Sequence, residues 1–202
     1  EGADLFIFQC CCQAPIFAAM KQAQRRGIAC IFEIDDDWFS VPHIFTKNGT
    51  DQAQPQSLEI MKQFLENADL VTCATRPLAE SLLRTGNVGE IRVIPNCVSG
   101  EQWIPELRKR KPDGFIQIGW MASMSHIHDA PMVKEAMAKI MDAYSNVVLH
   151  TIGSLRPEHI VYDRHLKRLK CDNWLPYNAL PGVMANWDIG LCPLTRGDWN
   201  DS

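Results

Sequence analysis

The sequence lacks any long apolar run. No stretch approaches the roughly 20 residues that a membrane-crossing helix needs, so no membrane-spanning segment is expected. It also lacks an excess of positive charge: the formal net charge is -4, and Lys and Arg are scattered apart from one short run. A basic surface that neutralises phosphate backbones is therefore not expected, and we predict no nucleic-acid partner.

A Cys-x-x-Cys pair is also absent. Most of the eight cysteines lie in apolar, strand-like runs, where cysteine behaves as a small buried hydrophobe. They are Cys10, Cys11, Cys12, Cys30, Cys73, Cys97, Cys171 and Cys192. The three consecutive cysteines would alternate between faces of an extended strand, so they cannot converge on one zinc ion. This usage predicts a protein of the reducing cytoplasm.

The composition that is present is that of a folded protein. Of 202 residues, 46% are apolar and 22% charged, with 12 Gly and 12 Pro, which suits one large domain or two small ones. The chain starts at Glu1, and residue 5 already lies in a predicted strand. We therefore expect an excerpt of a longer chain, truncated at both ends.

Short apolar runs alternate with helical patterns along the chain. Each run has the length of a strand buried on both faces, which is typical of parallel sheets. The runs are Leu5 to Gln9, Ile28 to Ile34, Leu70 to Cys73, Ile91 to Ile94, Phe115 to Gly119, Val147 to Ile152 and Asp188 to Cys192. Helices are predicted between them, the clearest from Asp129 to Tyr144, whose methionine stripe indicates core packing. The alternation predicts an α/β fold.

The least regular stretch runs from Pro95 to Gly114 and includes a basic run, Arg108 to Lys111, interpreted as a solvated linker. The β-α-β pattern restarts on each side of it. We therefore predict two Rossmann-like parallel-sheet halves, 1–110 with the linker and 111–202, facing each other across a cleft.

Ligands of open parallel sheets bind beyond the carboxyl ends of the strands, so the residues that follow each strand are informative. The first such place holds three consecutive carboxylates, Asp35, Asp36 and Asp37. Mutually repelling charges at a strand end suggest a partner, either substrate hydroxyls or a divalent cation such as magnesium. The alternative is a solvated turn with an Asx cap.

The second place follows the strand that contains Gly119. Small and hydroxyl residues, Ser123 and Ser125, lead through His126 to a helix start, where free amides and the positive helix end would favour an anion such as a diphosphate. There is no Gly-x-Gly-x-x-Gly and no Walker lysine, so the pattern alone is weak. Asp129 is interpreted as the helix N-cap.

Two histidines in this turn also suggest a metal site. His126 and His128 are two residues apart, as zinc ligands on a strand can be. The hydrolase pattern His-x-His-x-Asp-His, however, needs the aspartate one position later than Asp129, so zinc is disfavoured.

The third place is the proline-broken segment around Leu175 and Pro176, expected to form a loop past a buried strand. Trp174 and Trp187 are predicted core residues. Trp199, in a polar loop, is the better candidate for stacking on a ligand.

Taken together, these segments resemble group 1 (family 4-like) glycosyltransferases. Five motifs in the family's order carry the resemblance: Ile34-Asp35-Asp36-Asp37-Trp38-Phe39; Ala68-Asp69-Leu70-Val71-Thr72 with Leu78-Ala79-Glu80; Val93-Ile94-Pro95-Asn96-Cys97-Val98; Ile118-Gly119-Trp120 with Ser123-x-Ser125-His126-x-x-Asp129; and Asp188-Ile189-Gly190-Leu191-x-Pro193-Leu194. Singly each is loose, and jointly they are fairly specific.

The resemblance implies the GT-B fold, with an acceptor-side N-terminal domain and a C-terminal domain that binds a nucleotide-diphosphate-sugar as co-substrate. No metal or other tightly bound cofactor is implied. By motif position, Gly119, Ser123 and His126 would line the donor diphosphate loop, and Asn96 would lie near the cleft. Leu175 and Pro176 would lie near the nucleobase. Asp35 or Asp36 would bind acceptor hydroxyls or act as a catalytic base. The acceptor would be a glycan, a lipid or a small molecule, and the full-length protein could touch a membrane peripherally.

The sequence also departs from this family. The Arg-x-x-x-x-Lys pair and the Glu pair eight residues apart that contact the donor are absent, and Asp35 stands where many relatives carry His. Two alternatives therefore stay open. One is a metal-dependent GT-A-like transferase that uses Asp35 to Asp37 as its Asp-x-Asp site, and the other is a non-catalytic nucleotide-sugar-binding module.

Overall fold

The computed structural model describes residues 2–41, 54–103 and 114–201. The chain divides into two compact units: unit 1 comprises Glu1–Cys97 with Arg196–Ser202, and unit 2 comprises Val98–Thr195. The predicted boundary between residues 110 and 111 and the basic run before it lie outside the described residues. Among the described residues, no helix is both long and apolar enough to cross a bilayer.

Unit 1 contains a four-stranded parallel sheet in the order β1-β2-β3-β4. Its elements are β1 (Leu5–Gln9), α1 (Ala14–Arg25), β2 (Ala29–Ile34), α2 (Pro55–Asn67), β3 (Leu70–Cys73), α3 (Arg76–Thr85) and β4 (Ile91–Val93). The first three strands follow one another through helices, as the alternating sequence pattern predicted.

The core of unit 1 lies between one face of this sheet and the helices. Alternate residues of β2 point to that face, where Cys30, Phe32 and Ile34 are fully buried. Phe64 of α2 stacks on Phe32, with ring centroids 4.9 Å apart. Gly27 lies between α1 and β2 and has a φ of +78°, a left-handed backbone conformation that glycine adopts without strain.

Unit 2 contains a second parallel sheet, in the order β7-β6-β5-β8. Its elements are α4 (Gly100–Trp103), β5 (Ile116–Ala122), α5 (Ala130–Ala143), β6 (Val147–Gly153), α6 (Pro157–Ile160), β7 (Leu169–Asp172), α7 (Leu180–Met184) and β8 (Ile189–Leu191); the last helix of the chain, α8 (Asp198–Asp201), belongs to unit 1. The strand order reverses between β5 and β8. The α/β class with two Rossmann-like halves is confirmed.

Helix α5 covers the core of unit 2. Val133, Met137 and Met141 are buried on its inner face, against a cluster that includes Trp120 and Leu149 of the sheet. The predicted packing role of the methionine stripe therefore holds for these positions, whereas Met132 is exposed.

Candidate functional site

The reversal of strand order in unit 2 places two loops beside each other. In open parallel sheets the crevice outside the carboxyl ends of the strands opens where the order reverses. Here the reversal separates β5 from β8. The segments that leave these strands are a 3-10 turn, Met124–His128, after β5, and the residues up to Thr195 after β8. These two segments define the candidate site.

The turn after β5 is held together by its own serines. Ser123 caps it, and the Ser123 Oγ accepts from the Ser125 amide at 3.2 Å and contacts the Ser125 hydroxyl. The Met124 amide donates to Ser154 Oγ at 3.0 Å, and the His126 amide donates to the Ser123 carbonyl at 3.1 Å. The prediction of free amides is therefore wrong for residues 124–126, because Ser123 accepts from two of them and Ser154, which follows β6, accepts from the third. Hydroxyl and imidazole groups remain as its donors.

Asp129 links the two segments of the site. Its Oδ1 accepts from the Thr195 amide at 2.7 Å and from the Thr195 hydroxyl at 2.9 Å. Its Oδ2 lies 2.9 Å from Nδ1 of His126. Asp129 occupies the N-cap position of α5, as predicted, but its side chain makes no capping bond to the helix. It is turned toward the neighbouring loop instead.

The carboxyl of Asp129 is only 2% exposed, yet these contacts keep it ionised. Burial alone would raise the pKa of Asp129. The bonds from the Thr195 amide, His126 and the Thr195 hydroxyl outweigh burial and lower the pKa below its usual value. The site therefore holds a buried negative charge beside the imidazole.

Gly119 lies inside β5, three residues before the strand ends, rather than in the turn. A Cβ at this position would fall 1.7 Å from Cδ2 of Trp187, so the indole lies directly against the glycine. The Trp187 Nε1 donates to Nδ1 of His150 at 3.0 Å. This packing accounts for a glycine at position 119 without a ligand.

The segment after β7 carries exposed aromatic groups. Leu175 is half-buried and Pro176 is exposed, and both follow the carboxyl end of β7. Trp174, predicted to be a core residue, is 55% exposed because it lies in a loop beyond the sheet. Tyr177 is also exposed, and its hydroxyl accepts from Trp103 Nε1 at 2.9 Å.

In unit 1 the three consecutive aspartates have different surroundings. Asp35 is half-buried, and Oδ1 of Asp35 lies 3.2 Å from the thiol of Cys10, a residue with a left-handed φ of 45°. Asp36 is exposed. Asp37 is buried and accepts from the Ser81 hydroxyl at 2.6 Å and from the Phe39 amide at 3.2 Å. Asp37 thus forms the Asx cap of the alternative interpretation, although it is buried rather than solvated. The carboxylates of Asp35 and Asp36 remain beside the end of β2.

These positions do not assemble a metal site in the described part of the chain. No group of three or more His, Cys, Asp or Glu side chains that could hold a metal ion occurs there. An Asp-x-Asp site would need Asp37, whose oxygens are already occupied by Ser81 and Phe39. The GT-A-like alternative therefore has no support from the geometry.

Asn96 lines a groove of about 310 Å³ at the carboxyl ends of β2, β3 and β4, together with Glu33, Thr72 and Cys73. Oε2 of Glu33 is buried without a hydrogen-bond partner among the described residues. Burial, with a contribution from Asp35, raises the pKa of Glu33 above its usual value.

Trp199, the predicted stacking residue, packs edge-on against Trp38 within unit 1, with centroids 5.4 Å apart. The structure thus brings together Ser123, His126 and Asp129 in unit 2, and Asp35, Asp36 and Asn96 lie at strand ends of unit 1. Sequence reasoning missed the role of Thr195. Thr195 lies beside Asp129 because β5 pairs with β8, and no local sequence pattern predicts that pairing.

No family model and no curated protein matches the sequence. Solved structures match nearly the whole chain. Sucrose-phosphate synthase from Thermosynechococcus elongatus has a TM-score of 0.63 at 15% identity, over 94% of this chain and 50% of that one. Both halves are Rossmann-like, as in GT-B glycosyltransferases.

Two further structures have the same fold. A TarM mutant from S. aureus, solved with fondaparinux, α-GlcNAc-glycerol and UDP, has a TM-score of 0.59 at 12% identity, over 92% of this chain and 36% of that one. Trehalose 6-phosphate synthase from Burkholderia multivorans has a TM-score of 0.56 at 13% identity, over 96% of this chain and 52% of that one. The chain thus spans about half of two of these proteins and about a third of TarM.

Proposed function

We propose that this chain is the core of a glycosyltransferase, which moves a sugar from a nucleotide-diphosphate-sugar to an acceptor hydroxyl. The observation that carries the proposal is the strand reversal in unit 2, with a serine- and histidine-bearing turn on one side of it and Thr195 on the other, joined through Asp129. A crevice of this kind is where Rossmann-like sheets bind nucleotides. Unit 2 is therefore the proposed donor half.

The donor diphosphate would lie against the turn after β5. Because the amides of residues 124–126 are used internally, the hydroxyls of Ser123 and Ser125 and the ring of His126 are the proposed donors to its oxygens. Leu175 and Pro176, at the neighbouring strand end, are the proposed nucleobase contacts. Gly119 would contribute indirectly, by holding the strand under Trp187.

In the proposed reaction, the bond between the anomeric carbon and the diphosphate oxygen breaks while the acceptor oxygen bonds to that carbon. The acceptor hydroxyl loses its proton, and the nucleoside diphosphate leaves with the bonding electrons. Groups that stabilise the leaving diphosphate lower the barrier by electrostatics, without a bound metal. Asp35 and Asp36 are the proposed partners of the acceptor hydroxyl, either binding it or taking up its proton, and Asn96 shares their sheet edge.

TarM, which shares the fold, was solved with UDP and α-GlcNAc-glycerol, a nucleotide and a glycoside. At 12% identity this likeness concerns the fold. It supports testing nucleotide-sugars first and leaves the sugar, the nucleotide and the acceptor to experiment.

The test is calorimetric titration of the full-length protein with UDP-glucose, GDP-mannose and ADP-glucose. We expect at least one to bind with a dissociation constant below about 1 mM, and Ser123→Ala and His126→Ala to weaken it roughly tenfold, the loss of about one hydrogen bond to a charged group. His128→Ala is the matched control, because His128 is an exposed histidine of the same turn. No binding of any nucleotide-sugar at millimolar concentration would contradict the proposal.

Turnover separates the enzyme from the non-catalytic alternative. The full-length protein should release the nucleoside diphosphate, slowly to water and faster when glycan, lipid or small-molecule acceptors are added. Binding without release under every acceptor condition would instead identify a nucleotide-sugar-binding module, an outcome favoured by the missing Arg-x-x-x-x-Lys pair.

A further inference from the structure

The two ring nitrogens of His126 have different surroundings. Nδ1 lies 2.9 Å from Oδ2 of Asp129, while Oδ1 of the same carboxylate is held by the amide and hydroxyl of Thr195. No partner for Nε2 is found in the part of the chain that the structure describes, and the His126 side chain is 31% exposed. Nε2 is therefore the nitrogen available to a ligand.

The carboxylate decides which nitrogen carries the proton. An ionised carboxylate only accepts hydrogen bonds, so Nδ1 must bear the hydrogen that it donates to Asp129. In the neutral ring Nε2 is then a bare acceptor, which would repel the oxygens of a diphosphate. Only the imidazolium form can donate from both nitrogens at once.

We propose that the diphosphate of the nucleotide-sugar binds His126 in its protonated form, so that donor binding takes up a proton wherever the free ring is neutral, and that Asp129 is the positioning residue that holds Nδ1 and leaves Nε2 to the ligand. This inference rests on the proposed function of the site. Asp129 holds the ring through Nδ1 and leaves Nε2 to the ligand. Thr195 fixes the carboxylate from the loop after β8.

The elements around His126 offer few other charges. The ring of Trp120, from β5, lies edge-on with its centroid 6.2 Å away, and Thr195 approaches from the loop after β8; neither is ionisable at neutral pH. His128 is in the same turn and exposed. Within the described residues, Asp129 is the charged group in direct contact with His126.

The experiment measures donor binding to the full-length protein by calorimetry between pH 5.5 and 8.0, with UDP-glucose, GDP-mannose and ADP-glucose. In these probes both phosphates are esterified and stay singly ionised throughout this range, so the ligand itself does not titrate. We expect the affinity to fall as the pH rises, because the neutral ring that donates to Asp129 from Nδ1 cannot also donate from Nε2. Buffers of different ionisation enthalpy should show that more proton is taken up on binding at pH 8.0 than at pH 5.5.

Variants separate proton coupling from simple contact. His126→Gln keeps an N–H donor but cannot titrate, so its affinity should be independent of pH. Asp129→Asn supplies an amide that can donate to Nδ1, so the neutral ring can carry its hydrogen on Nε2 and donate to the diphosphate, and the affinity should depend less on pH than in the wild type. His128→Gln, the matched control, should leave the wild-type profile unchanged.

The outcomes are distinguishable. Wild-type binding that is equally strong at every pH would overturn the inference and leave the proposed function standing. An Asp129→Asn loss of the same factor at every pH would also overturn it, because a carboxylate that merely joins the two loops would behave in that way. Absence of binding by all three probes would overturn the proposed function together with the inference.

Discussion

Gly119 has space for a hydrogen atom and for nothing larger, because the Trp187 indole lies against it. We expect Gly119→Ala to lower the free energy of unfolding by about 1–3 kcal/mol, as other overpacked cores do. The matched control is Gly182→Ala in α7, where a Cβ meets no atom within 4 Å and alanine should stabilise the helix by up to about 1 kcal/mol. Urea unfolding measures both. Equal stability of Gly119→Ala and wild type would show that the indole moves aside freely.

Thiol reactivity should follow local burial. Burial raises the pKa of Cys10 to about 12, with Asp35 adding to the effect, whereas Cys97, Cys171 and Cys192 are exposed. At pH 8 the native protein should therefore be alkylated by iodoacetamide at the exposed cysteines, while Cys10, whose thiol is held in its unreactive neutral form, stays unmodified. Peptide mass spectrometry reads out each site, and the urea-unfolded protein is the control in which all eight should react. Early labelling of Cys10 would contradict protection of its thiol by the half-buried contact with Asp35.

At the residue scale, the sequence indicated which residues belong to the candidate site, but it could not show which other residues they contact. The turn from Ser123 to His126 is recognisable because hydroxyl residues follow an apolar run. The same local information could not show that Asp129 contacts Thr195 or that Gly119 meets Trp187, because each pair is more than 60 residues apart in the chain. Contacts at such separation depend on strand order, which local patterns do not encode.

Among the elements, α5 depends on a side chain from outside it. The guanidinium of Arg168 donates to the carbonyls of Met141 and Tyr144 at 2.6 and 2.8 Å, and so satisfies acceptors that the helix end leaves free. It also donates to the carbonyl of Val147 in β6 at 3.3 Å. We expect Arg168→Ala to lower the free energy of unfolding by about 1–3 kcal/mol. Arg164→Ala, which removes an exposed pair with Asp142 and a contact of the guanidinium with the Tyr162 ring, should cost less than about 1 kcal/mol. If the Arg168 hydrogen bonds contributed nothing, denaturant unfolding would show that Arg168→Ala is no less stable than Arg164→Ala.

Strand β6 carries a buried histidine that should make stability depend on pH. Burial lowers the pKa of His150 below its ordinary value, and the hydrogen bond to Asp172 offsets this only in part. The unfolded chain therefore binds this proton more readily, so stability is full above about pH 6.5 and falls as the pH drops below it, by up to about 1.4 kcal/mol per pH unit.

In His150→Gln, the free energy of unfolding should change less between pH 7 and pH 5 than in the wild type, whatever the effect of the substitution at neutral pH. The exposed His128→Gln should keep it. Urea unfolding at pH 7.5, 6.5 and 5.5 tests the pair, and an equally steep loss in His150→Gln would assign the proton to another group.

The strands and helices themselves were largely predictable. The strand Leu5–Gln9 and the strand Leu70–Cys73 coincide with their apolar runs, and α5 lies within the predicted helix from Asp129 to Tyr144. Strand β7, Leu169–Asp172, was missed, because alternate lysine and aspartate residues interrupt its apolar character. It lies at an edge of the described sheet, where polar side chains reach water.

At the scale of the whole molecule, each unit has a hydrophobic cluster of its own, and the two clusters share no residue. Phe64 touches Phe8, Phe17 and Phe32 in the first. We expect Phe64→Ala to lower the stability of unit 1 by about 3–5 kcal/mol while amide exchange in β5 and β6 of unit 2 stays protected. Met137→Ala should give the opposite pattern, and loss of protection in both units from either variant would contradict separate cores.

The α/β class and the presence of two halves followed from the alternation of short apolar runs with helical patterns. The order β7-β6-β5-β8 did not, since a strand of three residues can join either edge of a sheet without changing the local sequence pattern. The candidate site depends on that order. Fold-level similarity to solved structures therefore adds what periodicity could not supply.

The separation of Asp129 from Thr195 also bears on how the protein is made. The two residues are 66 positions apart, and the Thr195 amide donates a hydrogen bond to the Asp129 carboxylate. At about 5–20 residues per second, a ribosome delivers that stretch in roughly 3–13 s. Throughout this interval the nascent turn after β5 carries an aspartate whose partner does not yet exist, so the candidate site of unit 2 cannot reach its final geometry before Thr195 has been synthesised.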